Sequence, residues 1–101
     1  MKIQANLYFF QGEVELVFNK YGNGRTAILL VDKEDKSPVA VATVNIPDYH
    51  DLKDDEVIIK NYSENDGMIE TLQEAGVIGP IIKSIPVGYA AGFLHKLLIQ
   101  P

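Results

Sequence analysis

Alternation of apolar and polar residues with a period of two dominates the first half of the chain. The runs 2–10 and 13–18 show it clearly, and 25–31 and 39–46 are rich in aliphatic and β-branched residues. This period is that of a β-strand with one face buried. The first two runs are separated by Gln11-Gly12, which predicts a β-hairpin that turns at these two residues. The chain is therefore predicted to fold around an antiparallel sheet.

A single segment, in the second half, has helical spacing instead. Four apolar residues form one stripe there: Met68, Ile69, Leu72 and Ala75. Ser63 is predicted to be the N-cap, and Gly76 stands where a helix commonly ends in a left-handed residue. Val77 is expected to fold back onto Leu72 in a Schellman closure. The predicted helix has about three turns.

The order of elements indicates the fold class. An aspartate-rich acidic loop is predicted at 47–56 and leads into a strand at 56–60. A last strand is predicted at 89–99. Strands, one helix and strands again, without βαβ alternation, predict an α+β fold. We expect a single domain over residues 1–101, since a chain of this length buries one modest core. The expected architecture is one meandering antiparallel sheet of roughly five to seven strands, with one short helix packed on a face.

Two predictions concern positions within that sheet. The segment 39–46 is mostly apolar on both faces, which is typical of a strand in the middle of a covered sheet. The aromatic first strand and the apolar last strand are expected at the sheet edges. Sheet edges carry unpaired backbone groups, so a homodimer through an edge strand is one predicted form of association.

Aromatic residues cluster around the predicted first hairpin. Alternation assigns Phe9 and Phe18 to the core face. Tyr8 and Phe10 fall on the polar side, where they would cover a second layer or form an interface. The alternation does not decide between these two roles.

Charge and composition exclude several classes of function. The formal net charge of −5 argues against direct binding to the phosphate backbone of nucleic acid. With no cysteine, the chain has no disulfide, thiolate zinc site or cysteine nucleophile. The alternating N-terminus lacks the apolar run of a signal peptide, and no run is long enough to span a membrane. A cytoplasmic location without membrane contact is therefore predicted.

Candidate catalytic and metal-binding residues are few. His50 lies among aspartates at 48–55, but the spacing matches no calcium loop, so this segment is interpreted as a solvated acidic loop. His95 lies on an apolar strand and is interpreted as a packed or edge histidine rather than a catalytic one. The sequence contains no nucleophile elbow and no Walker or dinucleotide motif. We therefore predict no enzymatic activity, no cofactor and no metal.

The densest polar cluster is the junction between a strand and the helix, at 60–68. Its candidate binding residues, together with one tyrosine farther along the chain, are Asn61, Tyr62, Glu64, Asn65 and Tyr89. Free backbone N–H groups at the start of a helix bind acceptors, so a small ligand or nucleotide is one interpretation. The other is that the asparagines and Ser63 cap the helix and hold the turn. Both remain open at this point.

The same stretch resembles a family of small proteins encoded on bacterial phages, plasmids and conjugative elements. The resemblance covers about residues 39–99 and is carried by the segments 44–47, 60–68, 74–77 and 88–89, together with Leu72. It implies a mobile-element context and no particular reaction. We expect a non-enzymatic accessory protein that acts by protein–protein interaction, for example as an inhibitor of a host defence system. Its acidic surface would steer it onto a basic partner.

Overall fold

The computed structural model describes residues 1–100 and shows an α+β fold. Within these residues there are seven strands and one short α-helix: β1 (Lys2–Asn6), β2 (Gln11–Lys20), β3 (Thr26–Asp32), β4 (Pro38–Val41), β5 (Glu56–Lys60), α1 (Met68–Glu74), β6 (Ile78–Val87) and β7 (Ala90–Leu97). Strands β1 to β4 form one antiparallel sheet in chain order, and the second has the order β5-β7-β6. The α+β class and the antiparallel pairing are confirmed, but the strands form two sheets where one was predicted.

The division into two sheets arises because the segment 39–46 changes its partner halfway. Its first part, β4, pairs with β3, and the Ala42 N–H still donates to Ile28 O at 2.8 Å. The next residues turn to β5, where Thr43 pairs with Ile59 and Val44 N–H donates to Ile58 O at 3.0 Å. The segment thus lies between β3 and β5, as a central strand would, but it connects two sheets.

The first hairpin turns earlier than predicted. The turn is Leu7–Phe10, closed by a hydrogen bond from Leu7 N–H to Phe10 O at 2.9 Å, and Gln11 already pairs with Asn6. The buried Leu7 side chain continues the alternation of β1, and the turn then breaks it by exposing both Tyr8 and Phe9. We call Leu7–Phe10 the aromatic turn.

The helix begins later than predicted and ends where predicted. Ser63 begins a separate turn of 3-10 helix, and Gly67 is the N-cap residue of the seven-residue α1. The prediction of Ser63 as N-cap is therefore wrong. At the other end, Val77 N–H donates to Leu72 O at 2.9 Å and Gly76 N–H to Gln73 O at 3.0 Å. With Gly76 at φ 73°, this is the predicted Schellman closure.

The apolar core lies between the sheets and α1, with a smaller cluster on the opposite face of the second sheet. Ile58, Ile85 and Leu94 form that smaller cluster, and apolar side chains from 44–52 cover it. Arg25 holds this cover in place, because its guanidinium donates to the carbonyl oxygens of Ile46 (2.7 Å) and Tyr49. The acidic loop therefore exposes its charged side chains to solvent and packs its apolar side chains against the second sheet.

Of the two strands predicted at sheet edges, the first strand lies at an edge and the last does not. Strand β1 is at the edge of its sheet and lies beside α1, where Asn6 N–H donates to Thr71 Oγ1 at 3.1 Å. The last strand, β7, is instead the middle strand of its sheet, because β6 forms a hairpin with it and occupies the edge. Gly79 and Pro80 lie within β6, where the pairing with β7 shifts register. Within residues 1–100 no helix has the length and apolarity needed to span a bilayer.

Candidate functional site

The two asparagines of the junction, Lys60–Met68, point into the protein. Asn61 Oδ1 accepts a hydrogen bond from Ile69 N–H at 2.8 Å, so it caps the first turn of α1. Asn65 is 1% exposed, and its Nδ2 donates to Val41 O at 2.7 Å and Lys60 O at 3.1 Å. Asn65 thereby joins the ends of β4 and β5. Both amides thus make hydrogen bonds that connect parts of the fold.

Glu64 and Tyr62 are arranged around Lys60. The Lys60 ammonium lies 3.0 Å from Glu64 Oε1 and 5.3 Å from the centroid of the Tyr62 ring. A hydrogen bond from its own backbone N–H, followed by the contact with Lys60, lowers the pKa of Glu64. The carboxylate is therefore ionised at neutral pH and suited to binding a cation, not to donating a proton.

The junction backbone is strained where it reaches the surface. Ser63 has φ 58°, a left-handed conformation that is uncommon for residues other than glycine, asparagine and aspartate. Gly67 has φ 97° and lies against the backbone of Asn6 and Leu7. Strain of this kind persists only where surrounding contacts hold it, and it is concentrated at functional surfaces.

The junction forms one side of two shallow depressions. The first, of about 470 Å³, is lined by Tyr8 and Phe9 of the aromatic turn together with Ser63, Glu64 and Asp66. The second, of about 370 Å³, lies on the other side, over β4. Its lining residues include Tyr21, Val41, Thr43, Tyr62, Glu64 and Asn65. Tyr21 Oη lies 2.9 Å from Thr43 Oγ1, and this hydrogen bond holds the Tyr21 ring in place at the side of the second depression.

The structure brings together only some of the predicted site residues. Tyr62, Glu64 and Asn65 line the depression over β4, whereas Asn61 faces α1. Tyr89 is fully exposed at the tip of the β6–β7 hairpin, next to Gly88 at φ 61°. Tyr89 lines neither of the two depressions that the described residues form at the junction.

Both phenylalanines of the aromatic turn were assigned to the wrong side of the strand from the sequence. Tyr8 is 79% exposed, in keeping with its predicted place on the polar side, but Phe9 is 49% exposed and does not belong to the core. Phe10 packs against the core instead. The two phenylalanines exchange roles because the four-residue turn interrupts the strand alternation after Leu7. The break between Leu7 and Gln11 was not recognisable from the spacing alone.

The two histidines have different environments. His50 is exposed on the acidic loop, and no group of three His, Cys, Asp or Glu side chains within residues 1–100 is arranged to hold a metal ion. His95 is fully buried, and its Nδ1 donates to Gly79 O at 2.9 Å. Among the described residues its Nε2 has no hydrogen-bond partner. Burial lowers the pKa of His95, partly opposed by hydrogen bonds with the backbone at Gly79 and Pro80.

We expect acid to destabilise the protein through His95. Below about pH 6.5 the unfolded chain binds a proton that the buried imidazole resists, so the free energy of unfolding falls as the pH falls. Above that pH the contribution is fully retained. Urea unfolding between about pH 7.5 and 5 measures it, with a slope of at most about 1.4 kcal/mol per pH unit. The substitution His95→Gln should remove this slope and His50→Gln should preserve it; the reverse result contradicts the assignment.

Comparison of the chain with protein-family models, curated proteins and solved structures gave no match. Function is therefore inferred from the junction, its two depressions and the exposed side chains around them.

Proposed function

We propose that this protein is a non-enzymatic accessory protein of a bacterial mobile genetic element that acts in the cytoplasm by binding another protein. The observation that carries the proposal is that the polar side chains of the junction are used within the fold, whereas the aromatic side chains beside it are exposed. The buried amide of Asn65 and the inward-facing Asn61 serve the fold, while the large side chains of Tyr8 and Phe9 are offered to solvent. Exposed aromatic side chains are typical of protein contacts, where they contribute much of the binding energy.

The charge of the protein supports a basic partner. The net charge is −5, and Glu64 and Asp66 lie beside the exposed aromatic residues. An acidic surface of this kind accelerates encounter with a positively charged protein and weakens as salt screens it. Many host proteins that act on foreign nucleic acid have positively charged binding surfaces, so inhibition of a host defence protein is the role that we propose.

The experiment is capture of the partner followed by reconstitution. The tagged protein is used to recover proteins from a bacterial host lysate at low salt, and the recovered protein is purified and mixed with the untagged chain. We expect a complex of fixed stoichiometry in analytical ultracentrifugation, with an affinity that falls as salt rises past about 0.1 M. Failure of any recovered protein to form a stoichiometric complex would count against the proposal.

A second candidate function is favoured by the depression over β4. Its apolar floor and its two tyrosine walls, Tyr21 and Tyr62, would suit a small planar ligand such as a nucleotide base. Thermal unfolding in the presence of a panel of nucleotides tests this function. A rise in melting temperature that Tyr62→Ala abolishes and Tyr89→Ala preserves would support it. An unchanged melting temperature with every nucleotide argues against it.

Homodimer formation through an edge strand stays a prediction, and β6, at one edge of the second sheet, is the strand that we would examine first. This strand exposes Ile81 and Ile82, which favour association. It also contains Pro80 and Pro86, which lack a backbone N–H, and the charged residue Lys83. Proline and lysine both discourage pairing between edge strands. A solution mass decides between monomer and dimer.

A further inference from the structure

The aromatic turn has the properties of a preformed binding anchor. It is fixed within itself by the hydrogen bond from Leu7 N–H to Phe10 O, and Tyr8 N–H donates to Asp66 O at 2.9 Å. Leu7 is buried between these contacts and ties the turn to the core. The aromatic side chains are therefore held out on a backbone that is already ordered. A preordered anchor loses little conformational entropy when it binds.

The junction completes this surface and is itself held in an uncommon conformation. Ser63, with its left-handed backbone, lies in the same depression as Tyr8 and Phe9. Gly67 approaches the backbone of Asn6, so the junction packs closely against the start of the aromatic turn. The strained residue and the exposed aromatic residues thus belong to one continuous surface built from segments that are about 55 positions apart in sequence.

The chemistry around the aromatic side chains defines what can cover them. Both titratable groups that line this depression besides Tyr8 are carboxyl groups, those of Glu64 and Asp66, and both residues are exposed. The pKa of Glu64 is lowered, so it carries its charge at neutral pH. A partner that buried Tyr8 and Phe9 against acidic or purely apolar surface would cost free energy at both carboxylates, because Asp66 would stay unpaired and the Glu64–Lys60 ion pair would lose its solvent. A partner with basic side chains at the rim would pair with them.

We infer that Tyr8 and Phe9 are the anchors of the protein contact and insert into an apolar pocket of the partner whose rim carries lysine or arginine side chains. This inference rests on the proposed function, since it assigns the surface and the partner chemistry of the same interaction. Glu64 and Asp66 supply the charges that meet the basic rim. The binding surface is thereby assigned to the aromatic turn and not to the candidate residue Tyr89.

The first test locates the contact. The photoreactive residue p-benzoylphenylalanine is placed at position 8 or 9 of the full chain, and at position 89 in a matched control that is even more exposed. After irradiation with the purified partner, cross-linked peptides are identified by mass spectrometry. We expect cross-links from positions 8 and 9, in peptides that contain apolar residues flanked by lysine or arginine. Cross-links from position 89 alone, or in acidic peptides, overturn the inference.

The second test measures the energy of the contact in the reconstituted complex. Tyr8→Ala is expected to weaken binding about 30-fold, as loss of a central aromatic anchor does, whereas Tyr89→Ala should change it less than about 3-fold. Phe9→Leu, which keeps an apolar side chain, should lie between them. Glu64→Lys should slow association and flatten the salt dependence. Melting temperatures of the variants establish that each is folded.

The outcomes separate the inference from the proposed function. A stoichiometric complex that is insensitive to Tyr8→Ala overturns the surface assignment and leaves the proposed function standing. Absence of any stoichiometric complex overturns both. Weakening by Tyr8→Ala together with Tyr89→Ala unchanged supports both.

Discussion

Replacing Gly67 with alanine is expected to cost about 3 kcal/mol or more of the free energy of unfolding, a large share of the total for a domain of this size. Two physical effects add at this position. The backbone has φ 97°, which penalises any L side chain, and an added Cβ would overlap the carbonyl oxygen of Asn6. Since that oxygen belongs to backbone, it moves only if β1 or the junction shifts. Urea unfolding of the variant measures the loss.

Two other glycines separate the contributions at Gly67. Gly76 has φ 73° with open space around its Cα, so Gly76→Ala should cost only the strain of the left-handed backbone, about 1 kcal/mol. Gly22 has neither a positive φ nor a neighbour within 4 Å, and Gly22→Ala should be neutral or slightly stabilising. If Gly67→Ala costs no more than Gly76→Ala, the close approach of the junction to β1 is contradicted.

The second large effect is expected at Asn65. The substitution Asn65→Asp preserves the shape of the side chain but replaces the donor with an oxygen that faces the carbonyl oxygens of Val41 and Lys60. A buried carboxylate without a donor is strongly unfavourable, and we expect a loss of about 3–5 kcal/mol. Asn65→Ala, which only removes the two hydrogen bonds, should lose about 2 kcal/mol.

The control for Asn65 is an exposed asparagine. Asn23 makes surface hydrogen bonds with Asn45 and with the backbone of Arg25, and Asn23→Asp should change the free energy of unfolding by less than about 0.5 kcal/mol. Thermal or urea unfolding of the two Asn→Asp variants gives the comparison. Equal, small losses would mean that Asn65 does not join β4 to β5 and would return it to the list of ligand-binding candidates.

The Asn65 result also bears on how the junction is interpreted. The polar cluster admitted two interpretations, a ligand site or a structural turn, because asparagine amides serve both purposes equally well. Which purpose applies depends on whether an acceptor lies nearby. The acceptor on Val41 is 24 positions away in sequence, so no local pattern around Asn65 discloses it.

The strand and helix predictions show where local patterns are sufficient. Strand β5 and the end of α1 were predicted at the observed residues, because a short β-branched run between charged residues and a glycine terminator are local signals. The start of α1 was misplaced, since Ser63 is a suitable cap residue in isolation. Its contacts instead place it in a separate 3-10 turn, and the backbone of Gly67 passes close to Asn6 where the helix begins.

The sequence by itself determined the elements that depend on near neighbours: antiparallel strands, one short helix, its glycine terminator and an acidic surface. Tertiary structure alone decided where segment 39–46 changes from β3 to β5, which phenylalanine of the aromatic turn meets solvent, and which asparagine is buried. The physical reason is that periodicity reports which face of a segment avoids water. It carries no information about the distant backbone groups with which that segment exchanges hydrogen bonds.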